Sequence, residues 1–199
     1  NEVIDTGGSA GHNSIAVDNN GKIHISYSHF PDGGSTRHLR YVTNSGGTWS
    51  NVSVFNDGET GYYTSIGVDS LLRVSIAFYH YSGEDFGFAT NASGSWATTK
   101  PQTGGTPGTH TSLALDPEGV AHVSYKGNSA IGSPLIYATN ASGQWAFVEA
   151  GPGNSSNTSI ALGDDGSKHI VFISDGLRYS TTCTSVGTSE DNDCDGTDG

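Results

Sequence analysis

Basic residues are scarce in this sequence of 199 residues, which has 8 Lys and Arg against 20 Asp and Glu and a formal net charge of −12. Such a surface repels a phosphate backbone, so nucleic acid is excluded as a partner. Long apolar runs are also lacking, since no stretch approaches the roughly 20 residues that span a bilayer. No signal peptide is recognisable, so a chain that starts at Asn1 is interpreted as a mature or excised segment.

Helical periodicity and cysteine are scarce as well. No eleven-residue window carries a 3.6-residue apolar period free of glycine or β-branched residues, which excludes a helical fold. Only two cysteines occur, Cys183 and Cys194, both in a polar C-terminal tail. An isolated pair in such a tail predicts a disulfide formed in an oxidising compartment, and therefore an extracellular or cell-surface location.

A repeat is what the sequence does contain. A phrase with alternating apolar residues begins at residues 14, 65, 112 and 159, as SIAVD, SIGVD, SLALD and SIALG. A second phrase follows as IHISY, VSIAF, AHVSY and KHIVF, and a third as LRYVTN, FGFATN, LIYATN and LRYSTT. In three units a glycine turn and a tryptophan open a fourth run, at Trp49, Trp96 and Trp145. Four short strands per unit predict the meandering sheets of an all-β propeller.

The fourth unit ends after its third strand, and residues 2–7 resemble the fourth strand of the third unit. The sequence therefore predicts a four-bladed β-propeller over residues 1–182, closed by the N-terminal strand, followed by an irregular calcium-binding tail over residues 183–199. A fragment of a larger ring, or an open array, is the alternative.

One position precedes each first phrase by two residues and is expected to line the mouth of the central channel. It holds His12, Tyr63, His110 and Asn157. Two imidazoles and a phenol at one mouth are consistent with ligand or ion binding, or with proton transfer during catalysis. Alternatively, positions near the mouth simply tolerate polar and aromatic residues without any function. We assign no catalytic residue. The aromatic residues of the second unit, such as Tyr62, Tyr79 and Tyr81, either pack between sheets or stack on sugar rings.

Other repeated polar residues have structural interpretations. His24, His122 and His169 recur within the second strand, where a buried imidazole is expected to bond the same backbone partner in every unit. Asp18, Asp69 and Asp116 precede turns and are expected to bond nearby backbone amides. Five glycosylation sequons occur, at Asn51, Asn91, Asn140, Asn154 and Asn157.

The tail has the pattern of a calcium loop. Asp191, Asp193 and Asp195 occupy positions 1, 3 and 5 with a glycine at position 6, and Asp198 offers a further carboxylate. Ca²⁺ takes six to eight oxygen ligands, so the sequence predicts a Ca²⁺ site that borrows ligands from water, from the propeller or from a neighbouring chain.

These phrases resemble the repeats of bacterial secreted propellers of the sialidase-like and BNR-repeat group, over residues 1 to about 182. The tail resembles the acidic calcium loops of thrombospondin type 3 repeats, which join domains. The aspartate of the sialidase Asp-box is absent before Trp49, Trp96 and Trp145, and the arginine triad has no counterpart among the four arginines. The resemblance therefore implies the fold and a secreted location without sialic-acid hydrolysis.

Three functions follow as expectations. The first is a non-catalytic extracellular module of a surface or fibrous assembly or an adhesin, joined to neighbouring copies or modules through a calcium-stabilised linker. The second is a lectin-like propeller that binds carbohydrate. The third is a polysaccharide lyase that uses the histidines and tyrosine of the channel mouth.

Overall fold

The structure is a computed structural model and describes residues 2–182. These residues form four antiparallel sheets with a single short 3₁₀ turn at Ser129–Ile131. The first sheet contains β1 (Gly8–Val17), β2 (Ile23–Pro31), β3 (His38–Thr43) and β4 (Ser50–Phe55). The second contains β5 (Thr60–Val68), β6 (Val74–His80), β7 (Asp85–Thr90) and β8 (Ala97–Gln102). The third contains β9 (Thr109–Leu115), β10 (Ala121–Lys126), β11 (Leu135–Thr139) and β12 (Ala146–Gly151). The fourth contains β13 (Ser156–Leu162), β14 (Lys168–Ile173) and β15 (Leu177–Thr182).

Each sheet is a meander whose strands pair in chain order, as the repeated phrases predict. The second strand of each of the first three sheets is largely buried and is rich in β-branched and aromatic residues; all seven residues of β6 are buried. The fourth strand is the outer edge, and most residues of β4 and β12 are exposed. Among residues 2–182, no helix is long and apolar enough to cross a membrane.

The turns between the first two strands are built by the predicted aspartates. The Asp18 carboxylate accepts hydrogen bonds from the backbone N–H groups of Asn20 and Lys22, both at 2.8 Å. Asp69 and Asp116 likewise accept hydrogen bonds from the backbone N–H groups four residues later, those of Arg73 and Val120, at 2.9 and 2.8 Å. The prediction of turn-forming aspartates is therefore confirmed.

An asparagine ends the third strand of three sheets and ties it to the second. The Asn44, Asn91 and Asn140 side-chain oxygens accept from the first amide of β2, β6 and β10, at 2.8, 2.7 and 2.9 Å. Asn91 and Asn140 are thus structural residues as well as members of sequons, and their glycosylation stays a prediction.

The sheets stack face to face in chain order, and each contact has its own apolar core. We call the face toward the following sheet the front face and the face toward the preceding sheet the rear face. On the front face of the first sheet, Leu39 and Tyr41 pack on Ile66, Ile76 and Phe78 of the second. The same kind of core joins the second sheet to the third and the third to the fourth. The innermost strands touch in the same order, β1 with β5, β5 with β9 and β9 with β13.

The prediction that residues 2–7 supply the fourth strand of the last sheet is wrong within residues 2–182. Residues 2–6 form no strand, Val3 is 75% exposed, and the described part of the fourth sheet has three strands. The Asp5 carboxylate instead accepts from the Tyr27 hydroxyl at 2.5 Å and from Arg40 at 3.4 Å, which holds the segment against the first sheet. A strand-like pattern indicates that a segment can pair with a strand, but it does not specify the partner. Here Asp5 binds Tyr27 and Arg40 of the first sheet. The architecture is propeller-like, and closure of a four-bladed ring is not confirmed.

Candidate functional site at the mouth of the sheet array

The four predicted mouth residues share a strained backbone conformation. Each lies at a break in the register between the first and second strands of its sheet. His12, Tyr63, His110 and Asn157 have φ values of 40°, 50°, 57° and 47°. Positive φ costs a residue with a Cβ on the order of 1 kcal/mol or more, and a β-bulge is a common way to re-aim a side chain. The same bulge therefore presents one side chain from each of the four sheets.

These four side chains meet at one cavity of about 220 Å³. The residue after each of them also lines it: Asn13, Thr64, Thr111 and Thr158. The Tyr63 ring lies between the two imidazoles, with centroid distances of 4.9 Å to His12 and 4.5 Å to His110. Asn157 lies close enough to His110 to affect the pKa of its imidazole. The structure thus brings the predicted residues together in chain order, and ligand binding there stays a prediction.

Burial keeps both mouth imidazoles neutral. It lowers the pKa of His12 below its usual value of 6.5, and the charge of Arg37 lowers it further. Burial also lowers the pKa of His110; Lys126 and His12 add to that shift, whereas Asn157 opposes it. A neutral imidazole offers one donor and one acceptor, so both histidines can bond hydroxyl groups near pH 7.

An aromatic surface continues from the mouth along the second sheet. Tyr62 lies 5.1 Å from the His12 ring and 5.5 Å from Tyr81, and Tyr79 lies 6.4 Å from Tyr63. Tyr81 is 55% exposed and Tyr62 is partly exposed, so this part of the surface is open to solvent, whereas Tyr79 is buried. Burial, with the nearby charge of Glu84, raises the pKa of Tyr79 to about 12, which keeps its hydroxyl protonated as a hydrogen-bond donor.

Two cations beside the mouth were not predicted from the sequence. The Arg37 guanidinium lies 5.9 Å from the centre of the Tyr62 ring. The charge of Arg37 lowers the pKa of His12, and that of Lys126 lowers the pKa of His110. Neither residue recurs at its position in other units, so the repeat gave no signal for them. A glycine two residues before Tyr63 and another before His110 could have marked these bulges, because Gly61 and Gly108 both have positive φ.

The repeated interior histidines have the structural role that the sequence predicted, with a different partner. Nδ1 of His24 is hydrogen bonded to the Tyr41 hydroxyl at 2.5 Å, and His122 pairs with Tyr137 in the same way at 2.6 Å. The partner is therefore a tyrosine on the adjacent strand. The other imidazole nitrogen of His24 lies 3.3 Å from the turn carboxylate of Asp18, which leaves this histidine no role at the mouth.

A larger cavity, of about 740 Å³, lies at the opposite ends of the innermost strands. Its acidic residues are Asp69, Asp116, Glu118, Asp164 and Asp165. Among residues 2–182, no group of three or more His, Cys, Asp or Glu side chains could hold a metal ion. This cavity lacks the aromatic surface of the mouth and is a weaker candidate.

The predicted calcium ligands Asp191, Asp193, Asp195 and Asp198 and the predicted disulfide Cys183–Cys194 lie outside the described residues. Of the sequons, Asn51 and Asn154 are exposed, and Asn157 belongs to the mouth.

The lowered histidine pKa values predict a stability that falls in mild acid. Below about pH 6.5 the unfolded chain binds protons that His12, His110 and His122 resist in the folded protein, because burial lowers the pKa of all three. The stability of the folded state is therefore unaffected by these histidines above the pKa of the unfolded chain, and it decreases as the pH falls toward the lower pKa values of the folded protein. Thermal unfolding at about pH 7.5 and pH 5.5 would measure it. A double variant, His12→Asn with His110→Asn, should show a shallower decline; an identical decline would contradict the assignment.

No protein-family model and no curated protein matches the sequence. Several solved structures share its fold. A protein of unknown function from Dyadobacter fermentans aligns with a TM-score of 0.63 and 11% identity, over 88% of this chain and 66% of that one. A polysaccharide lyase, an ulvan lyase bound to -[GlcA(1-4)Rha3S]-, aligns with a TM-score of 0.59 and 14% identity, over 87% and 52%. The intramolecular trans-sialidase of Ruminococcus gnavus aligns with a TM-score of 0.54 and 13% identity, over 84% and 42%. The chain thus spans about two thirds or less of the length of these structures, and the likeness concerns the fold.

Proposed function

We propose that this protein is a non-catalytic extracellular module that binds glycans at the mouth of its sheet array. One observation carries the proposal: four side chains from four successive sheets, all at positive φ, converge on one cavity. Strain repeated at equivalent positions is maintained by the surrounding structure, and such strain clusters at binding sites.

The chemistry of the mouth suits a sugar. Sugar rings present apolar faces to aromatic side chains and hydroxyl groups to polar ones. Exposed Tyr81 and partly exposed Tyr62 offer aromatic surface next to the cavity, while His12, His110 and Asn157 offer neutral donors and acceptors. A cavity of about 220 Å³ that is lined mainly by polar side chains fits a terminal sugar or a short segment of a chain.

The local charge favours acidic sugars. Although the chain has a net charge of −12, Arg37 lies near His12 and Lys126 lies near His110. A carboxylate or sulfate on a sugar would be attracted by these cations, most strongly at low ionic strength. Two fold neighbours support the substrate class, because one is a polysaccharide lyase with a bound GlcA-containing fragment and the other is a trans-sialidase.

Binding to a glycan array with acidic and neutral oligosaccharides tests this function, followed by titration calorimetry on the best hit. We expect His110→Ala or Tyr62→Ala to weaken binding by about 10-fold or more, since each removes a contact of about 1–2 kcal/mol. His169→Ala is the matched control, because His169 pairs with Tyr179 away from the mouth, and it should bind as the unmodified protein does. No binding to any glycan, or equal loss with the control, would contradict the proposal.

A lyase is the second candidate, favoured by the contact of Tyr63 with both neutral imidazoles. A neutral histidine could remove the proton next to a uronate carboxylate while a tyrosine protonates the leaving oxygen. Incubation with polyuronates, followed by the ultraviolet absorbance of an unsaturated product, distinguishes the two functions. Product formation that His12→Ala and His110→Ala leave unchanged would exclude this mechanism.

The tail completes the proposal. A Ca²⁺ loop at Asp191, Asp193, Asp195 and Asp198, with a Cys183–Cys194 disulfide, would stiffen a linker to a neighbouring module of a surface or fibrous assembly. Proteolysis of the tail should then accelerate with a chelator, and unchanged cleavage would count against it. Intact-mass measurement tests the five sequons.

A further inference from the structure

The two ends of the sheet array expose apolar surface that the interior of the array buries. On the rear face of the first sheet, Ile15 is 63% exposed, whereas its counterpart in the second sheet, Ile66, is 6% exposed. On the front face of the fourth sheet, Leu177 is 78% exposed, whereas its counterpart Leu135 in the third is fully buried. An isoleucine or a leucine is kept at each position although no sheet of residues 2–182 covers it.

Each open face continues beyond those residues. Val17 extends the rear face of the first sheet, and the front face of the fourth is formed by exposed Val171, Ile173, Leu177 and Tyr179. The counterparts of Tyr179 are Tyr41, Phe88 and Tyr137, all buried in contacts between sheets. Apolar patches of this kind on a soluble protein mark interaction surfaces.

Polar groups at the two ends also match. Ser14, Ser65 and Ser112 each accept a hydrogen bond from an amide of the next sheet, those of Ile66, Leu113 and Ile160, at 3.2, 3.0 and 3.1 Å. The counterpart in the fourth sheet is Ser159, which is exposed, and the amide that corresponds to the donors is that of Ile15. The open front face therefore carries the acceptor and the open rear face carries the donor.

The tryptophans of the repeat show the same complementarity between the two open faces. Trp96 of the second sheet packs on Tyr41 of the first at 5.2 Å, and Trp145 of the third packs on Phe88 of the second at 5.0 Å. Trp49 is their counterpart in the first sheet, and Tyr179 is the counterpart of their aromatic partners. The two open faces are thus the two halves of one more sheet-to-sheet contact. They do not cover each other within residues 2–182, because Ile15 and Leu177 are both exposed.

We propose that a second copy of this chain binds head to tail, with the rear face of its first sheet packed on the front face of the fourth sheet. The contact would bury Ile15 and Trp49 of one copy against Leu177 and Tyr179 of the other. Because the two surfaces differ, the association is heterologous, and it produces a closed ring of copies or an open filament. The mouth residues take no part in it, so it stands independently of glycan binding.

Light scattering after size exclusion, over a range of protein concentrations, measures the association. We expect the unmodified protein to form dimers or larger species. Ile15→Asp and Leu177→Asp should each weaken self-association by at least about 30-fold, since a carboxylate would be buried at the centre of the contact. Leu71→Asp is the control, because Leu71 is 69% exposed in a turn away from both faces, and this variant should assemble normally.

Mixing the two variants gives the decisive result. Leu177→Asp keeps an intact rear face and Ile15→Asp keeps an intact front face, so an equimolar mixture should form a 1:1 heterodimer that grows no further. A monomeric unmodified protein at every concentration would overturn the proposal. So would a mixture that stays monomeric, or single variants that assemble as the unmodified protein does.

Discussion

Replacing Gly108 with alanine is expected to lower the free energy of unfolding by about 2–4 kcal/mol, through backbone strain and overpacking together. Gly108 has φ of +96°, and a Cβ placed there would lie 2.7 Å from the Cα of Phe86 in the preceding sheet. Backbone cannot yield as the end of a flexible side chain does. The midpoint of thermal unfolding should therefore fall by roughly 10 °C.

Gly94→Ala is the matched control for this prediction. Gly94 has a similar φ of +87°, but a Cβ there would meet nothing within 4 Å. This variant should lose only about 1 kcal/mol, the cost of the left-handed conformation alone. Equal losses in the two variants would show that the close approach to Phe86 contributes nothing. Since Gly108 precedes His110 by two residues, its substitution should also weaken binding at the mouth.

Replacing Tyr125 with alanine is expected to cost about 3–5 kcal/mol, as for other large aromatic residues removed from a core. Tyr125 is fully buried between the second and third sheets and stacks on Phe86 at a centroid distance of 4.6 Å. Its hydroxyl donates to the side-chain oxygen of Gln102 at 2.8 Å, and burial raises the pKa of this phenol. Denaturant unfolding would measure the loss, with an unchanged slope indicating that the fold is kept.

Two further variants separate the contribution of the Tyr125 ring to the free energy of unfolding from that of its hydrogen bond. Tyr125→Phe keeps the ring and removes the hydrogen bond, so it should cost about 1–2 kcal/mol, including the acceptor left without its donor. Tyr81→Ala removes an exposed tyrosine and should change stability by less than about 1 kcal/mol. A Tyr125→Phe loss as large as that of Tyr125→Ala would mean that the hydrogen bond, and not the ring, holds the two sheets together.

The strands and the mouth were predictable because both depend on position within a repeat. Alternation of apolar residues sets which side of a strand is buried, and the repeat then places His12, Tyr63 and His110 at equivalent points of successive sheets. The bulge that presents them was not predicted; the available signal was a glycine two residues before Tyr63 and His110, at Gly61 and Gly108.

Contacts between elements distant in sequence account for what was missed. The pattern of Val3 and Ile4 predicts a strand but carries no information about its partner, and Asp5 is instead held by Tyr27 and Arg40. In the same way, the spacing of His24 and Tyr41 gave no indication that they would bond across adjacent strands. Arg37 lies near His12 through the folding of the first sheet alone.

Within residues 2–182, each sheet packs only on the sheets that precede and follow it in the chain. The free energy of local unfolding therefore differs from sheet to sheet. The second and third sheets are each sandwiched, whereas the fourth is anchored on one side, where Ile160, Ile170 and Phe172 meet Leu135 and Tyr137. Linear arrays of this kind lose their terminal units first. Amide protons of β14 and β15 should consequently exchange with solvent sooner than those of β6 and β10, and a partner seated on the terminal sheet would slow them.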